Sequence, residues 1–256
     1  MRIDIAGDNS KDRITQVRSQ LPLSTTLAQT SPKVLLREYR ARKELQHENL
    51  LPLLGFSHEF GPLPAMVSPW MQNGSLTTYL ANKFAELTIE HKLQIVCHFS
   101  TKNAFHSNDI VHGDLTANNI LIDVTCTAYV ADHGMLTMCS ELAGTSYIRS
   151  NVRWAAPELF EVSENEDSLP PPKPASDIYS FGCIMLQVMT GQPPYADMRS
   201  DHQVIVLILR GKKPGRPSSP HVEDSFWNFI QNCWSDLGNR PSATEVLSFL
   251  QSEASE

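Results

Sequence analysis

Ile110-Val111-His112-Gly113-Asp114-Leu115-Thr116-Ala117-Asn118-Asn119-Ile120-Leu121-Ile122 sets an aspartate and an asparagine five residues apart between two short apolar runs. The runs at Ile110-Val111 and Ile120–Ile122 read as strands, with Ala128–Val130 opposite the second, so the polar residues between them lie on a loop. A further carboxylate follows in Ala131-Asp132-His133-Gly134. Asp114, Asn119 and Asp132 therefore offer two carboxylates and an amide from neighbouring segments. Such a set suits a Mg²⁺-nucleotide site, where hard oxygen ligands hold the metal and a separate carboxylate takes a proton from a hydroxyl.

Outward from this loop the chain separates into strand-like and helical parts. Val34, Leu35, Leu36, Ala41 and Leu45 recur at helical spacing within 33–47. Leu50–Phe56 and Leu63–Ser68, parted by Gly61-Pro62, predict an antiparallel pair. Asn73-Gly74 then breaks the strand ahead of a helix at about 75–82, and a mostly helical stretch runs from about 88 to 107. Beyond Ala156 helices are expected at 177–190, 201–211, 223–233 and 242–252, each bounded by Pro or Gly. Val162–Pro174 is acidic and proline-rich and reads as a solvated loop. Small strands first and helices later is an α+β order. The division expected is an irregular segment at 1–20, a small lobe with its hinge at 21–72, and a helical lobe at 73–252.

Composition narrows the function. The chain has 256 residues, 41% of them hydrophobic, with 28 acidic against 21 basic and a net charge of −7. That balance disfavours a phosphate backbone as the main partner, so no nucleic-acid partner is expected. No apolar run approaches the ~18 residues of a membrane span, and residues 1–13 (MRIDIAGDNSKDR) lack an apolar leader core. The expectation is a soluble protein of the cytoplasm, with no membrane partner. Cys97, Cys126, Cys139, Cys183 and Cys233 are scattered without a C-x-x-C pair and read as reduced core thiols. The histidines at 98, 106, 112 and 133 fit no zinc spacing.

Taken in order, the motifs resemble those of the protein kinases from about residue 33 to 252. His112-Gly113-Asp114-Leu115-Thr116-Ala117-Asn118-Asn119 is similar to the catalytic loop H-R-D-L-x-x-x-N, and Asp132-His133-Gly134 to D-F-G. Ala156-Pro157-Glu158 follows at the family's place. Ser176–Gly182 resembles the start of the central helix, and Asn239-Arg240-Pro241-Ser242 the late Arg-Pro motif. The pattern W-x-A-P-E at 154–158 and the hinge Ser68-Pro69-Trp70-Met71-Gln72-Asn73-Gly74 resemble the tyrosine-kinase-like group, kinase-like proteins of mushroom-forming fungi included.

The resemblance implies a two-lobed kinase fold with a reduced N-lobe of few antiparallel strands and one helix, and a mainly helical C-lobe. It implies ATP and Mg²⁺, a protein substrate or partner, Asp114 as catalytic base, and Asn119 and Asp132 as metal ligands. Glu38, nine residues before His47, stands where the family pairs a helix carboxylate with a phosphate-binding lysine. Ser68 as gatekeeper, the backbone of Pro69 and Met71, and Leu121 would line the nucleotide. Asp177 would hold the catalytic loop, and Glu158 would pair with Arg240.

The family's phosphate grips are not found. Gly7 is the single glycine before Glu38, Ser24 stands at the strand lysine's place, and Thr116 replaces the lysine after the catalytic aspartate. His133 replaces the phenylalanine of D-F-G, Gly113 the arginine of H-R-D, and Arg42 an apolar residue one turn after Glu38. Phosphoryl transfer depends on positioning and charge neutralisation, so reduced activity is expected. Two functions stay open: a weakened protein kinase, or a pseudokinase acting as a binding or scaffold module. A truncated or mis-joined coding sequence is a third reading, prompted by Lys102-Asn103 where apolar residues are expected.

Overall fold

Within residues 48–57, 65–100, 111–131, 151–160 and 170–255, which the computed structural model describes, short strands come first and helices follow. β1 (Gly55–Ser57) and β2 (Ala65–Val67) pair antiparallel, Gly55 facing Val67 and Ser57 facing Ala65. β1 is shorter than the Leu50–Phe56 run for a physical reason. Pro52 has no N–H to give a ladder, and the chain before it pairs elsewhere. The Leu51 N–H donates to the Val130 carbonyl at 2.8 Å and the Val130 N–H to the Asn49 carbonyl at 2.8 Å, so residues 49–51 run beside β4 (Ala128–Val130). β4 pairs antiparallel with β3 (Ile120–Ile122), Ile120 facing Val130. The strand expected at 110–111 does not form at Val111, because the backbone there turns to bond a carboxylate described below; Ile110 lies outside the described residues.

The helices sit close to their expected places. α1 (Leu76–Lys83) starts where Ser75 Oγ accepts the Thr78 N–H, and α2 (Ile89–Ser100) buries Leu93, Ile95, Val96 and Phe99 on one face. α3 (Pro174–Thr190) begins three residues ahead of the expected 177. Proline fits the first helical position because its missing N–H would have no helical partner, so the loop read at 162–174 closes one residue sooner. α4 (Asp201–Leu209), α5 (Asp224–Cys233) and α6 (Ala243–Glu253) complete the helical lobe. α6 is opened by a reciprocal cap: Ser242 Oγ accepts the Glu245 N–H and Glu245 Oε2 accepts the Ser242 N–H.

α3 is the centre of the core. Every residue from Ser176 to Thr190 is buried, as expected of a helix apolar on most of its circumference. Gly182 permits this, because a Cβ there would lie 2.7 Å from Cys233 Cβ and 2.9 Å from Trp234 Nε1. α5 can therefore pack almost backbone to backbone on α3. Phe181 meets Phe99 of α2 with ring centroids 5.8 Å apart, and Phe229 of α5 stacks on Phe249 of α6 at 3.9 Å.

The thiols divide. Cys183 and Cys233 are buried and Cys97 half-buried, but Cys126 is exposed on the β3–β4 turn at φ 64, which corrects the reading of it as a core thiol. Cys139, the helix expected at 33–47 and residues 161–169 lie outside the described residues. Among the described residues no helix is long and apolar enough to cross a membrane.

Candidate active site

The site is built from the first turn of α3. Asp177, 4% exposed, accepts the backbone N–H of His112 at Oδ2 (2.8 Å) and of Gly113 at Oδ1 (3.0 Å). The helix N-terminus favours a negative charge at this position. Burial nevertheless pushes its carboxyl up to about 7; the two backbone donors pull the other way, and the charge of Asp114 adds to the rise. Gly113 holds φ 78, a left-handed conformation that a side chain disfavours, so glycine removes strain from the turn that Asp177 clamps.

His112, fully buried, carries the constraint onward. The Asp114 N–H donates to its Nδ1 at 3.2 Å, and its Nε2 lies 3.0 Å from the Ala131 carbonyl. A backbone N–H can only donate and a carbonyl can only accept, so the proton sits on Nε2. The Ala131 N–H donates in turn to the Asn119 carbonyl at 2.8 Å. The residue before Asp132 is thus pinned from both sides.

Asp114 and Asn119 meet directly. Asn119 Nδ2 donates to the Asp114 carbonyl (2.9 Å) and to its Oδ2 (3.2 Å), spending both amide hydrogens and leaving Oδ1 as an oxygen donor. Thr116 Oγ1 accepts the N–H groups of Asn118 (3.2 Å) and Asn119 (3.3 Å), closing the loop on itself. From the far side, Asn151 Nδ2 reaches Asp114 Oδ1 at 3.3 Å and Oδ2 at 3.2 Å.

An apolar floor adjoins these groups. Met71, Leu121 and Ala131 form one buried cluster, with Leu51 and Tyr129 packed against it. The chain after Met71 is tied to β3: the Asn73 N–H donates to the Ile122 carbonyl (3.1 Å), the Ile122 N–H to the Gly74 carbonyl (2.9 Å), and Asn73 Nδ2 to the Asp123 carbonyl (2.6 Å).

Against this arrangement stands a match along most of the sequence. A profile of the protein tyrosine and serine/threonine kinase family covers residues 18–250. The chain belongs to this family. It is 24% identical over 222 residues to the serine/threonine-protein kinase STY17 of Arabidopsis thaliana, covering 84% of this chain and 37% of that protein. It is 24% identical over 226 residues to STY46 of the same plant, covering 88% and 38%. To the Raf homolog serine/threonine-protein kinase of Caenorhabditis elegans it is 27% identical over 228 residues, covering 84% and 27%. The chain spans well under half the length of these curated relatives. They agree with the tyrosine-kinase-like character read from the hinge and W-x-A-P-E.

In this kinase domain the strands described in the N-lobe are the antiparallel pair β1–β2, and the C-lobe is mainly helical, with the β3–β4 pair. Of the residues singled out by sequence, Asp114 and Asn119 are brought into hydrogen bonding, Met71 and Leu121 into one cluster, and Ser68 and Pro69 stand half-buried between β2 and the Asn73-Gly74 turn. Asp132, His133 and Glu38 lie outside the described residues. Asn151 was not singled out. Asparagine just before a short turn looks ordinary in sequence, and only its identity as a hydrogen-bond donor five residues before Ala156 hinted at more.

The kinase's Glu158–Arg240 pair is present and bidentate, at 2.7 and 2.8 Å, with Ser176 Oγ donating to Glu158 Oε1 at 2.8 Å. Burial alone would raise the Glu158 carboxyl. The hydrogen bonds and charge of Arg240, a backbone N–H and Ser176 outweigh it and hold the group below its ordinary 4.5. An unfolded Glu158 therefore binds a proton before the folded one does. The stability it contributes is fully present above about pH 4.5 and lost as pH falls through the depressed value. Urea midpoints taken from about pH 6 down to about pH 3 should fall, and Glu158→Gln should flatten that fall; an identical slope in the variant would remove this assignment.

Proposed function

We infer that this kinase domain binds Mg-ATP and transfers phosphoryl to serine or threonine hydroxyls of a protein, or to tyrosine, at reduced rate. The observation that carries the reading is the meeting of Asp114 and Asn119 beside the doubly pinned Ala131, with the Met71–Leu121 floor next to them. Asp114 accepts the side-chain amides of Asn119 and Asn151, and its carboxylate is the group that takes the hydroxyl proton. Asn119 has spent its hydrogens on Asp114, so its remaining oxygen fits a hard cation, as does the carboxylate expected from Asp132. Mg²⁺ supplies charge neutralisation to the phosphates when bound. Met71 and Leu121 supply an apolar surface for the adenine, and the Pro69 and Met71 backbone its polar edge. STY17, STY46 and the Raf homolog are serine/threonine-protein kinases, which supports the choice of hydroxyl.

A second reading, a binding module without catalysis, is favoured by one observation. Thr116, at the place of a phosphate-gripping lysine, is buried and turns its hydroxyl back onto the loop's own N–H groups. Thermal shift separates the two. At ten times its dissociation constant Mg-ATP adds ~1.4 kcal/mol, or roughly 3–6 °C in melting temperature. The kinase reading expects that rise, its loss in Asp132→Asn, and phosphate transfer to a generic protein substrate. No rise at millimolar nucleotide leaves the scaffold reading alone.

A further inference from the structure

We propose that the outward face of α4 and the loop behind it, Val206, Leu209, Arg210, Lys212 and Lys213, form a docking site for an acidic segment of a partner protein with aliphatic side chains among its carboxylates. None of these residues belongs to the loop around Asp114, so the proposal holds whether or not transfer survives. Of the large apolar residues exposed among the described ones, Val206 (46%) and Leu209 (60%) are the two that share a helix face, one turn apart. From His202 to Val222 the sequence has no carboxylate and four basic residues, Arg210, Lys212, Lys213 and Arg216. Arg216 is spent: its guanidinium donates to the Val222 carbonyl and to Asp224 Oδ1 (2.6 Å) and lies over the Trp227 ring. Arg210, Lys212 and Lys213 are exposed, and no ion pair to a described residue engages them. The C-terminal end of α4 favours a nearby cation, which accounts for Arg210 but not for two uncovered aliphatic side chains beside it.

The face is held ready. Val204 and Ile208, on the inward side of α4, are buried against Val152 and Tyr195. In the first turn Asp201 Oδ1 accepts from Arg153 Nε at 3.1 Å. Past the last turn Gly211 adopts φ 69, its N–H donates to the Ile208 carbonyl (2.8 Å), and the Lys212 N–H donates to the Leu207 carbonyl (2.9 Å). The Tyr195 hydroxyl then donates to the Lys212 carbonyl at 2.8 Å, and Pro214 is buried. A bound segment therefore leaves little of this backbone to be ordered. Charge selects the occupant. At physiological salt the cluster acts over ~8 Å, which suits a short acidic segment. A lipid or nucleic-acid surface is broad enough to meet the rest of a chain whose net charge is −7. Aliphatic side chains rimmed by charge are the anatomy of a protein–protein contact.

The test is fluorescence anisotropy of a short dye-labelled peptide in which glutamate pairs alternate with leucines, titrated with the full chain. Binding should weaken about tenfold or more in Leu209→Ser, and as much when Lys212→Glu and Lys213→Glu are combined. Serine in place of the peptide's leucines should weaken it by a similar factor, and raising salt from about 0.05 to about 0.5 M should weaken it several-fold. Lys173→Glu, at an exposed lysine ahead of α3, should leave binding unchanged. All these positions are at the surface, so melting temperatures should stay within about two degrees of the wild type and show that each variant is folded. Absence of peptide binding, equal weakening by Lys173→Glu, or binding indifferent to Leu209→Ser overturns the proposal. So does co-sedimentation with vesicles of phosphatidylserine and phosphatidylcholine that the peptide does not compete away, which would assign the patch to a membrane.

Discussion

Asp114→Asn should lower phosphate transfer by about 10²- to 10⁴-fold while the Mg-ATP thermal shift persists. An asparagine at 114 keeps the volume and one acceptor oxygen but cannot take a proton from a hydroxyl. Its cost to the fold is small for two opposing reasons. One of its polar atoms becomes an NH₂ group facing the donors of Asn119 and Asn151, which loses hydrogen bonding worth about 1 kcal/mol. The substitution also removes the negative charge that helps raise the buried Asp177 carboxyl. The melting temperature should accordingly move by only a few degrees, on the order of the net of these effects. Transfer undiminished in this variant would show that another group accepts the proton, and a lost thermal shift would show that 114 serves nucleotide binding.

Arg240→Met should cost about 3–5 kcal/mol, which for a domain of this size is a fall of roughly 6–20 °C in melting temperature. The regime is set by burial: the Arg240 side chain is 3% exposed and that of Glu158 16%, so solvent screens neither. Methionine fills much of the volume but abandons Glu158, the Ala175 carbonyl (2.8 Å) and the Ser235 carbonyl (2.9 Å), and the contact of the guanidinium with the Tyr179 ring at 5.2 Å. Lysine should rescue poorly, because one ammonium cannot reproduce the fork that meets both carboxylate oxygens. Pairing Arg240→Met with Glu158→Leu should regain much of the loss, since replacing both buried charges by apolar groups is often neutral. A single-variant fall of only a degree or two would place the pair with ordinary surface bridges.

What the sequence disclosed and what it withheld follow from the range of the interactions. Asp114, Asn119, Glu158, Asp177 and Arg240 stand in motifs whose residue types admit few other uses together, and α3 to α6 announce themselves through helical spacing between Pro or Gly boundaries, although Pro174 reads as loop and opens α3. The β1 boundary was not legible, because Leu50 and Leu51 have strand-like side chains and only their pairing with Val130 shows that they serve another sheet. Val111 misled for a similar reason: the next backbone N–H goes to Asp177, 65 positions away in sequence. Thr116 was read as a missing cation, and the structure adds that its hydroxyl closes the loop. Asn151 carries little signal in the sequence, since its contact is an amide meeting a carboxylate 37 residues earlier. Cys126 shows the limit of composition: a thiol looks like a core residue until a turn carries it outward.

The enclosure of α3 from Ser176 to Thr190 also governs how the polypeptide can be divided. A break in the tight connection that follows it, near 192–200, would yield two fragments, each with an uncovered greasy flank and neither able to persist in water by itself. Produced together, they should find one another and restore a single folded particle, which makes that connection a natural seam for a split reporter of encounter between fused proteins.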